Sequence, residues 1–121
     1  MQEMWTYRDE AIGDIDVVGY SVEAVDGGIG KVDEASYDVG AGYVVVDTGP
    51  WILGKKVLLP AGLIDRIDAG SETVYVGCTK DEVKNSPELD ETLIGDEEQR
   101  TRIGAYYEGT PTYRTTRGTR L

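Results

Sequence analysis

The sequence predicts an all-β domain of about six short strands, followed by short helices. Two observations lead to this fold class. The stretch 43–60 contains two apolar runs, 43–46 and 57–59, joined by a link rich in glycine and proline, which is the pattern of a central hairpin. Turn signals also recur about every eight to twelve residues between residues 17 and 76, which is typical of a small barrel or sandwich. We therefore expect a small β-barrel built around this hairpin.

Composition and charge argue against several classes of partner. The chain has 121 residues, which fits one domain, and its 23 acidic and 12 basic residues leave a net charge of −11. An acidic chain is poorly suited to the phosphate backbone of nucleic acids, which is bound by clustered Lys and Arg. The sequence contains no apolar run of about 18 residues, the length of a membrane-spanning helix. We expect neither a nucleic-acid partner nor membrane insertion.

Residues that commonly carry catalysis or bind metals are scarce. The chain has no His, and Cys78 is its one cysteine, so the commonest general base and the commonest zinc ligand are missing. The acidic residues do not follow the spacing of a calcium-binding loop. A single cysteine fits a reducing compartment, and residues 1–16 lack the apolar segment of a signal peptide. We expect a cytoplasmic protein without cofactor, metal or enzymatic activity.

Alternation and turn residues predict the strands before the hairpin. The stretch 18–24 alternates apolar with small or polar residues, as a strand with one buried face does. Residues 26–28, Asp-Gly-Gly, predict a turn. In the next strand Ile29 and Val32 are three apart, which breaks the period of two, so we predict a β-bulge at Gly30 that returns both side chains to the core. The inward residues of the first strand are Val18, Tyr20, Val22 and Ala24.

A second hairpin and a helix follow residue 60. The segments 63–67 and 73–76 are short and rich in β-branched residues, and a turn-forming segment separates them. Thr79 and Glu82 have the spacing of a capping box, in which each side chain satisfies a backbone N–H of the other residue. We therefore predict a helix over 80–85, stopped by the Ser-Pro that follows.

The end of the chain predicts one more helix and then disorder. Residues 96–98 can cap a helix that runs through Tyr107, with Ile103, Tyr106 and Tyr107 on one face. From Thr110 the sequence is polar and basic and offers little to bury, so we predict a disordered tail.

Three ordered sets of residues resemble the PRC-barrel family. This family is named for the H subunit of the photosynthetic reaction centre and includes the C-terminal domain of a bacterial ribosome maturation factor. The end of the chain, with Tyr106-Tyr107, resembles extensions of stand-alone bacterial members. The three sets are 19–22 with 26–32, then 44–49 with Trp51 and 56–60, and finally 74–76 with 79–87.

The resemblance implies a division of the chain and a kind of function. Residues 17–90 are expected to form a strongly bent β-barrel, preceded by an N-terminal arm at 1–16 and followed by a C-terminal extension at 91–121. The arm is expected to be loosely attached, unless Trp5 and Tyr7 pack it onto the domain. Family members often act as protein-interaction or assembly platforms without a shared enzymatic activity. The membrane anchor of the reaction centre subunit and the RNA-linked domain of the maturation factor are not found here, so we expect a non-enzymatic protein-binding module that forms a homodimer.

Residues 47–49, Asp-Thr-Gly after an apolar run, are also the signature of aspartic proteases. Such an enzyme needs two carboxylates that share a proton, so Asp47 would have to pair with its copy in a dimer. The ring of Trp51 follows almost directly, and the apolar-apolar-Gly segment at 52–54 is too close to form a second loop beneath the first. A strand end and turn is the favoured interpretation, and a dimeric aspartic hydrolase is the minor alternative.

Four further residues are candidates for binding or reactivity. Trp51 is either an exposed interaction residue or a cap on the barrel end. Binding of a small ligand, or a redox-accessory role, at this barrel end is an alternative function. Lys55 and Lys56 are interaction candidates at a strand start, although a solvated strand end is the simpler interpretation. Cys78 precedes a helix, which could lower its pKa, but a small buried thiol is favoured because no second Cys and no His are present to pair with it.

Overall fold

The computed structural model describes residues 3–5, 7, 15–37, 41–49 and 55–114, and the fold is mostly β. The prediction of an all-β fold of about six strands with short C-terminal helices is confirmed at this level. The strands are β1 (Ser21–Ala24), β2 (Gly27–Ser36), β3 (Tyr43–Asp47), β4 (Lys56–Pro60), β5 (Ile64–Asp68) and β6 (Thr73–Val76). The helices are α1 (Lys80–Lys84), α2 (Glu97–Glu108) and the single turn α3 (Pro111–Tyr113), with 3-10 turns at Glu3–Trp5, Ala61–Leu63 and Glu91–Leu93.

The six strands form one mixed sheet in the order β4-β3-β2-β1-β6-β5. The pairing of β1 with β6 is parallel, and the other four pairings are antiparallel. Within the described residues no ladder joins the edge strands β4 and β5, so this sheet is open. Closure into a barrel stays a prediction.

The connection between the two edge strands requires the sheet to curl. Only Ala61–Leu63 separate the end of β4 from the start of β5. Four Cα–Cα steps reach about 15 Å at most. In a flat sheet, five interstrand spacings would separate these strands by about 24 Å. The sheet is therefore bent until its two edges approach each other.

A β-bulge lies at the predicted place in β2. Val22 pairs with Gly30 and Glu23 with Gly28, so Ile29 is the extra residue. Gly30 has a φ of +149°, and both Ile29 and Val32 are buried. The bulge thus turns two apolar side chains inward although they are three residues apart.

The first strand is shorter than the alternation predicts. β1 begins at Ser21, because residues 18 and 19 form a turn in which Gly19 has a φ of +92° and the Tyr20 N–H donates to the Val17 carbonyl at 2.9 Å. Because of this turn, Val17 faces the core and is buried, whereas Val18 points to solvent and is 52% exposed. Val18 was wrongly predicted to face the core, since a local turn overrides the period of two.

Both faces of the central hairpin are covered. Residues 44–46 and 57–59 are all buried, as the continuous apolar runs predict. The N-terminal turn and α2 provide part of the cover, because α2 contacts β4 and the N-terminal turn. Met4 is buried in the same core, and the indole of Trp5 lies so close to Gly104 of α2 that a Cβ there would be 3.0 Å from its Nε1 atom.

The N-terminal arm is tied to the sheet by hydrogen bonds. The Gly42 N–H donates to the Trp5 carbonyl at 2.8 Å. The Tyr7 hydroxyl donates to the Ser36 carbonyl at 2.7 Å and lies 3.1 Å from the Tyr43 carbonyl. The described part of the arm is therefore packed onto the domain, which was the less favoured of the two expectations.

The helices begin where the capping residues predict. Thr79 and Glu82 form the full capping box of α1, and Asp96 caps α2 by accepting from the Gln99 N–H at 2.9 Å. Glu82 also accepts from the Thr112 N–H at 3.3 Å, which holds the turn α3. Thr110 is buried, so residues 110–114 do not share the disorder predicted for the tail, and residues 115–121 lie outside the described part of the chain.

We predict that Gly30→Ala destabilises the fold by roughly 2–4 kcal/mol. A Cβ at this position would lie 2.1 Å from the Asp47 carbonyl oxygen, and the positive φ is itself unfavourable for alanine. Urea unfolding measures the change. Gly95→Ala is the control, because a Cβ there meets nothing within 4 Å, and its free energy of unfolding should move by no more than about 0.5 kcal/mol. Equal stabilities of the two variants would contradict the close approach of β2 and β3.

Candidate interaction surface

The structure supports the interpretation of residues 47–49 as a strand end and turn. Asp47 is the last residue of β3 and is exposed, and its Oδ1 atom accepts from the Gly49 N–H at 2.9 Å. The Thr48 side chain is buried and donates to the Lys55 carbonyl across the start of the turn. Both polar side chains therefore serve the local backbone. Trp51 lies outside the described residues, and its role stays a prediction.

Lys55 and Lys56 lie on the rim of a surface depression of about 300 Å³. We call it the lysine depression. It lies between the start of β4 and the segment that follows α1. Its floor is apolar because Val57 and Val83 are buried there, with Leu89 half-buried beside them. Three lysines line it: Lys55, Lys56 and Lys84.

Ion pairs connect β4 with the opposite wall of the lysine depression. Lys55 Nζ lies 2.6 Å from Glu88 Oε2, and Lys56 Nζ lies 3.6 Å from Glu91 Oε1. Lys56 also contacts Asp33 Oδ2 at 3.0 Å. The hydrogen bond and charge of Asp33 raise the pKa of Lys56, and Lys55 lowers the pKa of Glu88. These groups are solvated, so their pairs stabilise little and exchange partners readily.

Lys84 differs from the other two lysines. It is exposed at the last position of α1, where the helix C-terminus favours a positive charge. Among the described residues it has no ion-pair partner within 4 Å. The lysine depression therefore presents one cation that is available to another molecule. The sequence offered no sign of this, because Lys84 lies 28 positions from Lys56 along the chain.

A second depression, of about 410 Å³, adjoins the first. The two share Glu88 and Leu89, which form the ridge between them. We call the second one the acidic depression. Leu93 lines it and is 48% exposed, and among the described residues only Val18 and Val25 are more exposed large apolar side chains. Its charged lining residues are Glu88, Asp90, Asp96, Glu98 and Arg102.

Gln99 of α2 holds the 90–93 turn, whose Asp90 and Leu93 form a wall of the acidic depression. It is buried, and its Nε2 donates to the Leu93 carbonyl at 2.8 Å and to the Asp90 carbonyl at 3.3 Å. Its Oε1 accepts from the Asp90 N–H at 2.8 Å. Sequence reasoning missed this residue, although an acceptor three positions after the cap Asp96 is a capping-box pattern. Here the amide side chain binds the preceding loop and not its own cap.

Tyr107 lies within the core near Ser86, which lines the lysine depression. Its side chain is fully buried, and its hydroxyl has no hydrogen-bond partner of acceptable geometry among the described residues. Burial, followed by the nearby Cys78, raises the pKa of Tyr107 strongly, and Ser86 offsets only part of that rise. Cys78 itself is completely buried, which confirms the favoured prediction of a small core thiol.

Comparisons with known proteins leave the family open. No family model matches the chain, and no curated protein matches it significantly. None of the described helices is long and apolar enough to cross a membrane. Within the described residues, no three His, Cys, Asp or Glu side chains are grouped so that they could hold a metal ion. The PRC-barrel resemblance therefore stays a prediction, and the surface has to be interpreted from its own chemistry.

We predict that Gln99→Leu destabilises the fold by about 1–3 kcal/mol, because it leaves buried backbone groups of the 90–93 turn without partners. Hydrogen exchange should accelerate in this turn more than in the sheet. Glu98→Gln changes an exposed neighbour and is the control, with an expected change within about 0.5 kcal/mol. Unchanged exchange in Gln99→Leu would show that the amide does not hold the wall.

We predict that Tyr107→Phe leaves stability at pH 7 unchanged or slightly higher, since it removes a buried hydroxyl without a partner. The folded state keeps the phenol proton above pH 10, where the unfolded state loses it, so rising pH favours unfolding. Above pH 10, the Tyr107 hydroxyl therefore lowers the free energy of unfolding by up to about 1.4 kcal/mol per pH unit. Urea unfolding between pH 8 and 11 should therefore show a shallower loss for the variant. Parallel curves would contradict the raised pKa of Tyr107, and a loss of about 1 kcal/mol at pH 7 would mean that the hydroxyl is hydrogen-bonded.

Proposed function

We propose that this chain is a non-enzymatic protein-interaction module of PRC-barrel type, and that the lysine depression is its docking surface. The supporting observation is the combination of an apolar floor with a lysine rim in a chain of net charge −11. Apolar surface supplies affinity, and charged groups around it select the partner. The proposal includes a barrel architecture, which the curled sheet supports. It also includes the cytoplasmic location that the sequence leads us to expect.

The chemistry of the depression favours a protein partner over a nucleic acid. Glu88 and Glu91 stand among the three lysines, so the rim has mixed sign. A phosphate backbone would meet repulsion from both carboxylates, whereas a protein surface can present both signs. The half-buried Leu89 in its lining also offers an apolar contact that a sugar-phosphate chain does not use.

The same residues give little support to a hydrolase. Asp47 is exposed, and its carboxylate accepts a hydrogen bond within its own turn. An aspartic hydrolase needs a carboxylate pair that is shielded and shares a proton. The described lining of the lysine depression supplies charge and apolar contact, which is the chemistry of binding.

We predict that Lys84→Glu reduces capture of partner proteins at least about tenfold, which corresponds to about 1.4 kcal/mol. The measurement is chemical cross-linking of the tagged full-length chain in lysate of its source cells, with each captured protein quantified by mass spectrometry. Lys31→Glu is the charge-matched control, because Lys31 is exposed on β2 and lines neither depression.

Partners retained by the wild type and the Lys31→Glu variant but lost from the Lys84→Glu variant would support the proposal. Equal recovery by the two variants would show that binding does not use the lysine depression. Absence of any protein captured above a tag-only control would contradict a protein-binding function.

A further inference from the structure

We propose that the two depressions together form a self-complementary face through which a second copy of this chain docks. This inference rests on the proposed function, since it uses the lysine depression as one half of the face. The two halves are adjacent because both are lined by Glu88 and Leu89. Three lysines and two glutamates line one half, and four carboxylates, of which Glu88 is shared, and one arginine line the other, so the two halves have opposite excess charge.

A twofold axis beside the shared ridge pairs opposite charges. In a symmetric dimer the same patch is used by both partners, so residue i meets residue j while residue j meets residue i. If the axis passes near Leu89, the lysine depression of each protomer faces the acidic depression of its partner. Lys84, which has no ion-pair partner within its own described chain, then gains a carboxylate from the other copy.

The centre of this face is apolar. Leu89 lines both depressions, and Leu93, which lines the acidic one, is 48% exposed. The other large apolar side chains with comparable exposure among the described residues, Val18 and Val25, line neither depression. Burial of Leu93 against a second copy would remove this exposed apolar surface, which is the arrangement of an interface with an apolar centre and a charged rim.

The face is held in place before any partner arrives. Gln99 fixes the turn that carries Leu93, because its buried amide side chain is hydrogen-bonded to the backbone of Asp90 and Leu93. A surface that is already ordered loses less entropy when it binds. Each chain has a net charge of −11, and physiological salt screens repulsion between those charges of the two copies that lie more than about 8 Å apart.

A second copy fits this face better than a basic peptide does. A basic peptide would neutralise Asp90, Asp96 and Glu98 but would supply no carboxylate for Lys84. The two halves have opposite excess charge and share one ridge, so the partner that matches both is one with the same two halves in reverse order.

The test is a charge exchange on the full-length chain. Light scattering and sedimentation equilibrium at physiological salt measure the dimer dissociation constant of the wild type, of Lys84→Glu and of Glu98→Lys. We expect each variant to dissociate at least about tenfold more readily than the wild type, and an equimolar mixture of the two to recover association to within a few-fold. Lys31→Glu, a charge change outside the face, should leave the constant unchanged, and circular dichroism checks that every variant is folded.

Three results would overturn the proposal. They are a wild-type mass of one chain up to millimolar concentration, a dimer that is indifferent to both substitutions, and a mixture of the two variants that stays monomeric. These results are separate from a failure of the proposed function, because light scattering on the pure protein measures self-association alone. A monomeric wild type that still captures other proteins through Lys84 would remove the dimer and leave the interaction module.

Discussion

The short connection between β4 and β5 is the constraint on which the rest of this structure depends. Ala61–Leu63 are themselves buried, so the link runs through the core and not around it. The Ala61 N–H donates to the Gly42 carbonyl, and the Gly77 N–H donates to the Leu63 carbonyl at 2.7 Å. The link is thus hydrogen-bonded towards both halves of the sheet. A sheet whose two edges are joined by a buried three-residue link cannot lie flat, and its concave side becomes the core.

Curling alone leaves the outer side of the central hairpin uncovered. Successive residues of β3 and β4 are apolar, so they point alternately inward and outward, and all of them are buried. The N-terminal turn and α2 contact each other through Trp5 and Gly104, and α2 also contacts β4. The packing that fixes α2 also fixes Gln99 at its start, and Gln99 holds the wall of the interaction surface. The helix that covers the central hairpin thus also positions the residues of the proposed interaction surface.

Local signals in the sequence were sufficient for much of the fold. The bulge at Gly30, the capping box of Thr79 and Glu82 and the cap at Asp96 each depend on neighbours within a few residues, and the structure confirms them. Val18 was assigned to the wrong side because a turn at Gly19 interrupts the alternation. The parallel pairing of β1 with β6 depends on contacts about fifty residues apart, such as Ser21 with Thr73, and no short-range pattern encodes it.

The proposed interaction surface was harder to predict from the sequence, because it too depends on contacts between residues that are far apart in the chain. Lys55 and Lys56 were recognised as candidates by their position at a strand start, but Lys84 and Gln99 reach the surface only through tertiary packing. Disorder was predicted for residues 110–114 because they are polar. The structure instead anchors that turn through Glu82, whose second carboxylate oxygen accepts from Thr112 after the first has capped α1. The capping box of Glu82 can be predicted from its spacing to Thr79, but its bond to Thr112 joins residues 30 positions apart and leaves no pattern in the sequence.

At the proposed docking surface, the charged residues would act on specificity more than on affinity. Lys55 and Lys56 already have carboxylate partners, so an incoming group gains only the difference between two solvated pairs. Lys84 gains more, because it has no ion-pair partner among the described residues. Net affinity must then come from the apolar residues, of which Leu93 is the most exposed at this face. A partner with matched charges but no apolar contact would be oriented without being retained, and an apolar partner without carboxylates near Lys84 would be retained without a defined orientation. Both properties are required of a docking surface, and they reside here on different residues, so substitutions at Lys84 and at Leu93 act on separate steps of recognition.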